Sequence, residues 1–148
     1  MYKVLFLLSG QQRDGAARQV ALWTAGLLHH SVKSRVAVLD PDGPCDQALR
    51  DAGVAVEALG RPRLFHLAVL PRLLRLTQSW GPHIIHTWGT AALRLAAVAL
   101  WVRGAPAVRL IASAPLGRGR PAAGARWLDR LWLGQAHRIC ATGAAQAA

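Results

Sequence analysis

The stretch GPHIIHTWGTAALRLAA, Gly81–Ala97, decides how this chain folds. Gly81 and Pro82 interrupt whatever precedes them. His83–His86 then reads as a short buried strand, two isoleucines between histidines. Thr87, Trp88 and Gly89 form a lip. Thr90–Arg103 follows as a helix, stopped by Gly104 and Pro106. A buried strand passing through a short lip into a helix is the first half of a βαβ unit.

The same alternation extends in both directions. On the N-terminal side, Lys3–Leu8 is a buried strand, and Gly15–His29 is a helix with Ala17, Val20, Ala21, Trp23 and Leu27 near one face. Arg35–Leu39 is a second strand, closed by the turn Asp40-Pro41-Asp42-Gly43-Pro44. Asp46–Ala52 is a short helix ended by Gly53, and Val54–Leu59 is a third strand. Leu64–Trp80 reads as a helix with Leu67, Leu70, Leu74 and Thr77 at helical spacing; Pro71 marks a first turn or a kink. On the C-terminal side come a strand at Ala107–Ala112, a loop at Ser113–Pro121, a helix at Ala122–Leu133 and a strand at His137–Ala141. The expected fold is α/β: one Rossmann-like domain over residues 1–148, a doubly wound parallel sheet of about six strands with helices on both faces and right-handed crossovers. Such sheets carry their sites beyond the carboxyl ends of the strands, near the switch in strand order. That directs attention to Ser9–Gly15, His86–Gly89 and Ser113–Arg120.

Composition narrows the function classes. The 148 residues suit one hydrophobic core, and 53% hydrophobic residues are too many for a disordered chain. No apolar run reaches the ~18–20 residues that span a bilayer; the longest, Ala91–Val102, is interrupted by Arg94. Val4–Leu8 is short for a signal-peptide core and no small-residue cleavage site follows, so a cytoplasmic chain is expected. Cys45 and Cys140, far apart, suggest two ordinary thiols rather than a disulfide framework or a metal site. The net charge of +11 admits attraction to phosphate, of nucleic acid or of an anionic membrane. It also admits a purely compositional origin, favoured because the charges are scattered and nearly all are Arg in an Ala-rich chain.

Three stretches carry chemistry. In SGQQRDGAAR, Ser9–Arg18, Gly10 and Gly15 have the glycine spacing of a P-loop, but Ala16 and Ala17 stand where its Lys and hydroxyl belong, which argues against nucleotide hydrolysis. Gln11 and Gln12 likewise break a dinucleotide fingerprint. What remains is Asp14 or Gly15 capping a helix whose first N–H groups suit an anion or polar ligand, or an ordinary strand–helix turn. In the second stretch, His86 can hydrogen-bond a hydroxyl and Trp88 can stack on a sugar; the plainer alternative is a core histidine and a packing tryptophan. In the third, Arg61, Arg63, Arg72 and Arg75 flank the apolar stripe of Leu64–Trp80, as a contact for an anionic membrane or as a solvated face. No Gly-x-Ser-x-Gly nucleophile elbow occurs.

In order and spacing these pieces resemble the N-terminal half of a family 4 glycosyltransferase of the GT-B fold. The opening Lys3–Gly10, Asp14-Gly15 and Ala16-Ala17-Arg18-Gln19 is similar to that family's strand, Gly-rich loop and helix start. Val36-Ala37-Val38-Leu39, Pro41, Gly43-Pro44, Leu49, Gly53-Val54-Ala55-Val56 and Leu59 match its next segment. Pro82-His83-Ile84-Ile85-His86-Thr87-Trp88 resembles its P-D-(I/V)-(I/V)-H-x-(H/W) strand, and Ala136–Gly143 its late A-D-x-(I/V)-x-A-x-S segment. The departures are Asp14 for the first Gly of a pair, His83 for Asp, Trp88 for a second His, His137 for Asp and Gly143 for Ser.

The resemblance implies a nucleotide-sugar donor, transfer with retention and no metal. It implies that this half binds a sugar, glycan or lipid acceptor, while a C-terminal half, absent here, holds the donor through a Glu-x7-Glu motif. Glu57 is the only Glu, so no such motif is present and the chain is expected to be inactive alone, without cofactor of its own. His86, Thr87, Trp88 and Ser113 are placed at the acceptor cleft by the resemblance; Gly10, Asp14, Gly15 and Arg18 are placed on the wall facing the donor half. Peripheral contact with the inner membrane face through the four arginines is a further expectation; nucleic acid is not an expected partner. The alternative is a non-enzymatic basic Rossmann-like module that docks on an anionic membrane or nucleic acid.

Overall fold

Among the described residues, six strands form one parallel sheet in the order β3-β2-β1-β4-β5-β6. The computed structural model describes residues 1–9, 15–41, 43–60, 69–113, 134 and 136–140. The strands are β1 (Lys3–Leu8), β2 (Lys33–Val38), β3 (Val56–Ala58), β4 (Ile84–Trp88), β5 (Arg109–Ser113) and β6 (Arg138–Cys140). The helices are α1 (Gly15–Leu28), α2 (Pro44–Asp51), α3 (Leu70–Trp80) and α4 (Thr90–Arg103). The doubly wound order follows from right-handed crossovers run first one way from β1 and then the other. The strand order reverses between β1 and β4, which are paired from Val4↔Ile84 to Leu8↔Trp88.

A parallel sheet covered on both faces needs strands that are apolar throughout. β1, KVLFLL, is buried from Val4 to Leu8. Its alternating residues serve two cores. Leu5 and Leu7 join Leu73, Leu76, Ile85, Leu95 and Leu110 under α3 and α4. Val4, Phe6 and Leu8 join Ala17, Val20, Val36, Leu49 and Trp88 under α1 and α2. Alanines at 92, 96, 97 and 99 are buried on α4, and their small side chains let its backbone lie close to the sheet. Both α3 and α4 stop at a left-handed glycine, Gly81 (φ 62°) and Gly104 (φ 60°).

Among the described residues, element identities agree with the sequence reading, and several boundaries differ for physical reasons. β4 continues through Thr87 and Trp88, because both sit in the ladder between β1 and β5. The lip therefore reduces to Gly89, whose φ of 95° suits glycine. Ser113 belongs to β5 rather than to a loop, paired with Trp88 and Cys140. β3, an edge strand paired only with β2, is short. α2 starts at Pro44 and α3 at Leu70 with Pro71 in its first turn, where proline's missing N–H has no helical partner to lose. The expected helix at 122–133, the start of the expected helix at 64, and Gly10, Asp14, Arg61 and Arg63 lie outside the described residues.

Candidate functional site

The strand order switches at β1 and β4, and α/β sheets hold ligands in the crevice beyond the carboxyl ends of the strands at such a switch. Ser9 N–H donates to Trp88 O at 3.0 Å and Gly89 N–H to Ser113 O at 3.3 Å, drawing the ends of β1, β4 and β5 together. The first turns of α1, at Gly15, and α4, at Thr90, begin at this edge.

Alternation along β4 and β5 sends His86, Trp88 and Ser113 to the α1 face. His86 Nε2 and Ser113 Oγ are joined by a buried 2.8 Å hydrogen bond. The His86 ring lies in an aromatic group: 5.0 Å from Trp23, 5.7 Å from Phe6 and 5.7 Å from Trp88, the last pair stacked at 29°. Burial lowers the His86 pKa from 6.5 to about 4, so the imidazole is neutral at pH 7, with one ring nitrogen a donor and the other an acceptor. Trp88 Nε1 is buried and has no hydrogen-bond partner among the described residues. An uncharged donor–acceptor pair beside aromatic faces is chemistry for holding a hydroxyl-bearing ring. Cys45, by contrast, is a buried thiol pushed up to about 11, first by burial and then by the charge of Asp46, and offers no thiolate.

Thr87 does not join this group. It points to the opposite face, buried, and its Oγ1 donates to Ile111 O at 3.2 Å. Arg18 is exposed on α1, and Gly15 is exposed at the start of that helix. Phe6 and Trp23 are members of the aromatic group that the sequence pattern does not single out as site residues. Helical spacing marks Trp23 only as a helix-face residue. The available signal for Phe6 is period-two alternation, which puts it on the same face as Val4 and Leu8.

Below the crevice, towards the amino ends of the strands, the α1 face carries an apolar groove of about 350 Å³. Val4, Phe6 and Ile84 form its floor with His86, Ile111 bounds one side, and Trp23 and Gly26 of α1 the other. A second, polar cavity of about 300 Å³ lies on the α3 face, where Arg72 and Arg75 converge with Arg35 and Glu57. Arg72 Nη1 there donates to Leu59 O at 3.0 Å. Among the described residues no helix is long and apolar enough to cross a membrane.

Residues 14–148 match the model of the glycosyl transferase 4-like domain. The chain belongs to this family. Glycosyl transfer is the chemistry of the family at this coarse level, and a Rossmann-like domain of the GT-B type is its fold here. No curated protein sequence matches this one. Among solved structures, MurG of Acinetobacter baumannii superposes with a TM-score of 0.70 at 11% identity, over 97% of this chain and 42% of that one. UDP-GlcNAc 2-epimerase from Neisseria meningitidis, bound to UDP-GlcNAc, superposes with a TM-score of 0.67 at 16% identity, over 90% and 38%. At these identities the likeness is one of fold. This glycosyl transferase 4-like domain spans about two-fifths of the length of either structure.

Proposed function

We propose that this domain is the acceptor-binding half of a retaining glycosyltransferase, which takes a sugar from a nucleotide-sugar donor and is inactive without a donor-binding half. The observation that carries the reading is the polar group beneath the crevice: the neutral His86–Ser113 pair and the unpaired Trp88 N–H, at the switch in strand order where α/β sheets hold ligands. His86 and Ser113 exchange hydrogen bonds with an acceptor hydroxyl, Trp88 lies against its ring, and Gly15 and Arg18 stand at the start of α1 on the donor side. Thr87 acts from behind, fixing β4 to β5 through its bond to Ile111. Loop residues Gly10 and Asp14 complete the donor-facing wall in this proposal. The family match and the share of each solved structure covered support a division of labour in which the nucleotide is held elsewhere.

The test is calorimetric titration of the 148-residue chain with UDP-GlcNAc, the nucleotide-sugar in the epimerase structure. No measurable heat is expected. Tight binding would contradict the assignment of the donor to another domain.

A second reading is favoured by one observation, the Arg35, Arg72 and Arg75 cluster at the polar cavity. It is a basic module docking on an anionic membrane or nucleic acid through the α3 face. Co-sedimentation with anionic vesicles or DNA, lost at moderate salt and in an Arg72→Gln/Arg75→Gln variant, is its expected signature.

A further inference from the structure

The apolar groove on the α1 face runs from the hydroxyl-binding group towards the amino ends of the strands, and His86 borders both. Its walls are hydrocarbon and aromatic: Val4, Phe6, Ile84 and Ile111 from the sheet, Trp23 from α1. Its volume of about 350 Å³ sits at the small end of the ~300–1,000 Å³ typical of ligand clefts. Leu22 and Trp23 remain 64% and 40% exposed beside it, large apolar surface left open to water. Gly26, in the last turn of the Ala- and Leu-rich α1, is one of the groove's lining residues. A Cβ built there meets nothing within 4 Å, so no close packing explains the glycine.

The rim is charged. On β5, Leu110 and Ala112 face α4, so Arg109 shares the groove face with Ile111. Arg109 is the ladder partner of Ile84, and Arg138 of β6 is the partner of Ile111; both ladder neighbours line the groove. Both arginines are exposed, and neither is in an ion pair among the described residues. Hydrocarbon walls with two free guanidinium groups at one edge complement an apolar chain ending in an anion.

We propose that this groove binds a fatty-acid-like ligand, a single-chain amphiphile whose hydrocarbon tail lies on Phe6, Ile84 and Trp23 and whose carboxylate meets Arg109 and Arg138. The proposal goes beyond glycosyl transfer: the groove shares His86 with the acceptor group, but the arginines that meet the carboxylate start β5 and β6, at the opposite ends of the strands, so their substitution tests this ligand without touching the acceptor group.

The test titrates the full 148-residue chain with decanoate, decanol and acetate below micellar concentrations, followed by calorimetry. Decanoate binds, decanol binds more weakly, and acetate does not. Arg109→Gln/Arg138→Gln weakens decanoate about tenfold or more and leaves decanol unchanged, as expected for losing charge-assisted hydrogen bonds. Gly26→Leu fills the groove and abolishes binding of both, while its circular dichroism and thermal unfolding show a fold at least as stable as the parent. Failure of decanoate to bind the folded chain would overturn the proposal, as would binding unaffected by Gly26→Leu. So would concentration-dependent self-association that Gly26→Leu abolishes and decanoate does not compete with, because the occupant would then be a second copy.

Discussion

The two faces of the sheet are finished differently. On the α3–α4 side, Leu73, Ile85, Leu95 and Leu110 close a hydrophobic core in which the buried hydroxyls of Thr77 and Thr87 are both satisfied by backbone carbonyls. On the α1–α2 side, the core is interrupted where α1 meets β4: His86, Ser113 and Trp88 bring polar atoms inside, and the groove beside Gly26 leaves apolar surface uncovered. The α3–α4 core is closed, with its polar cavity at the β2–β3 edge. The α1–α2 face gives up some closure and keeps unpaired hydrogen-bonding capacity, as a binding face must.

The largest effect that tests this contrast is a cavity in the closed face. Leu95→Ala or Leu73→Ala should cost about 2–5 kcal/mol in denaturant unfolding, the usual cost of deleting a fully buried leucine side chain. Trp23→Ala, on the open face, should cost only about 1–2 kcal/mol, mostly the lost ring contacts with Phe6, His86 and Trp88. Equal costs on the two faces would break the comparison.

Next in size is a pH effect confined to the open face. The folded pKa of His86, about 4, lies below its unfolded value of 6.5. Between these values the unfolded chain binds a proton that the folded chain refuses, so stability is complete above pH 6.5 and falls as pH drops towards 4. The loss at its full extent is about 3 kcal/mol, the free energy that separates the two protonation equilibria. His86→Phe should flatten that part of the stability–pH curve, leaving only the carboxylate contribution. An unchanged slope would place the burial penalty elsewhere. The smallest effect is Gly26→Ala, which should raise stability by about 0.5 kcal/mol or less, because glycine is a poor helix residue, position 26 is in the last turn of α1 and the added methyl group meets nothing. A loss of stability would mean the groove is more tightly packed than its geometry indicates.

Much of this was legible in the chain. Apolar runs such as Lys3–Leu8 have only one use in a sheet covered on both faces, and Gly81, Gly104 and Pro71 punctuate helices by steric rules that act locally. The doubly wound parallel sheet followed from alternation and handedness, whereas the order β3-β2-β1-β4-β5-β6 is set by long-range pairing. His86 and Trp88 stood out because polar and aromatic groups at a strand end are unusual. The partition of the site was less accessible. Whether Thr87 joins His86 depends on how far β4 extends, and that is set by partners on β1 and β5 far away in sequence. The meeting of Phe6, Trp23 and Ile111 around one groove is a tertiary fact for the same reason. So is the convergence of Arg35 with Arg72 and Arg75, from a strand and a helix separated by another strand and helix.

The reading of the α1 face as an acceptor-binding face is tested most directly by the labelled chain on an array of glycans and glycolipids. The account predicts retention on a discrete set of sugar acceptors, and loss of that retention in His86→Phe, which keeps the ring packing but removes both hydrogen-bonding nitrogens. Absence of retention by the folded chain, or retention unchanged in His86→Phe, would contradict it.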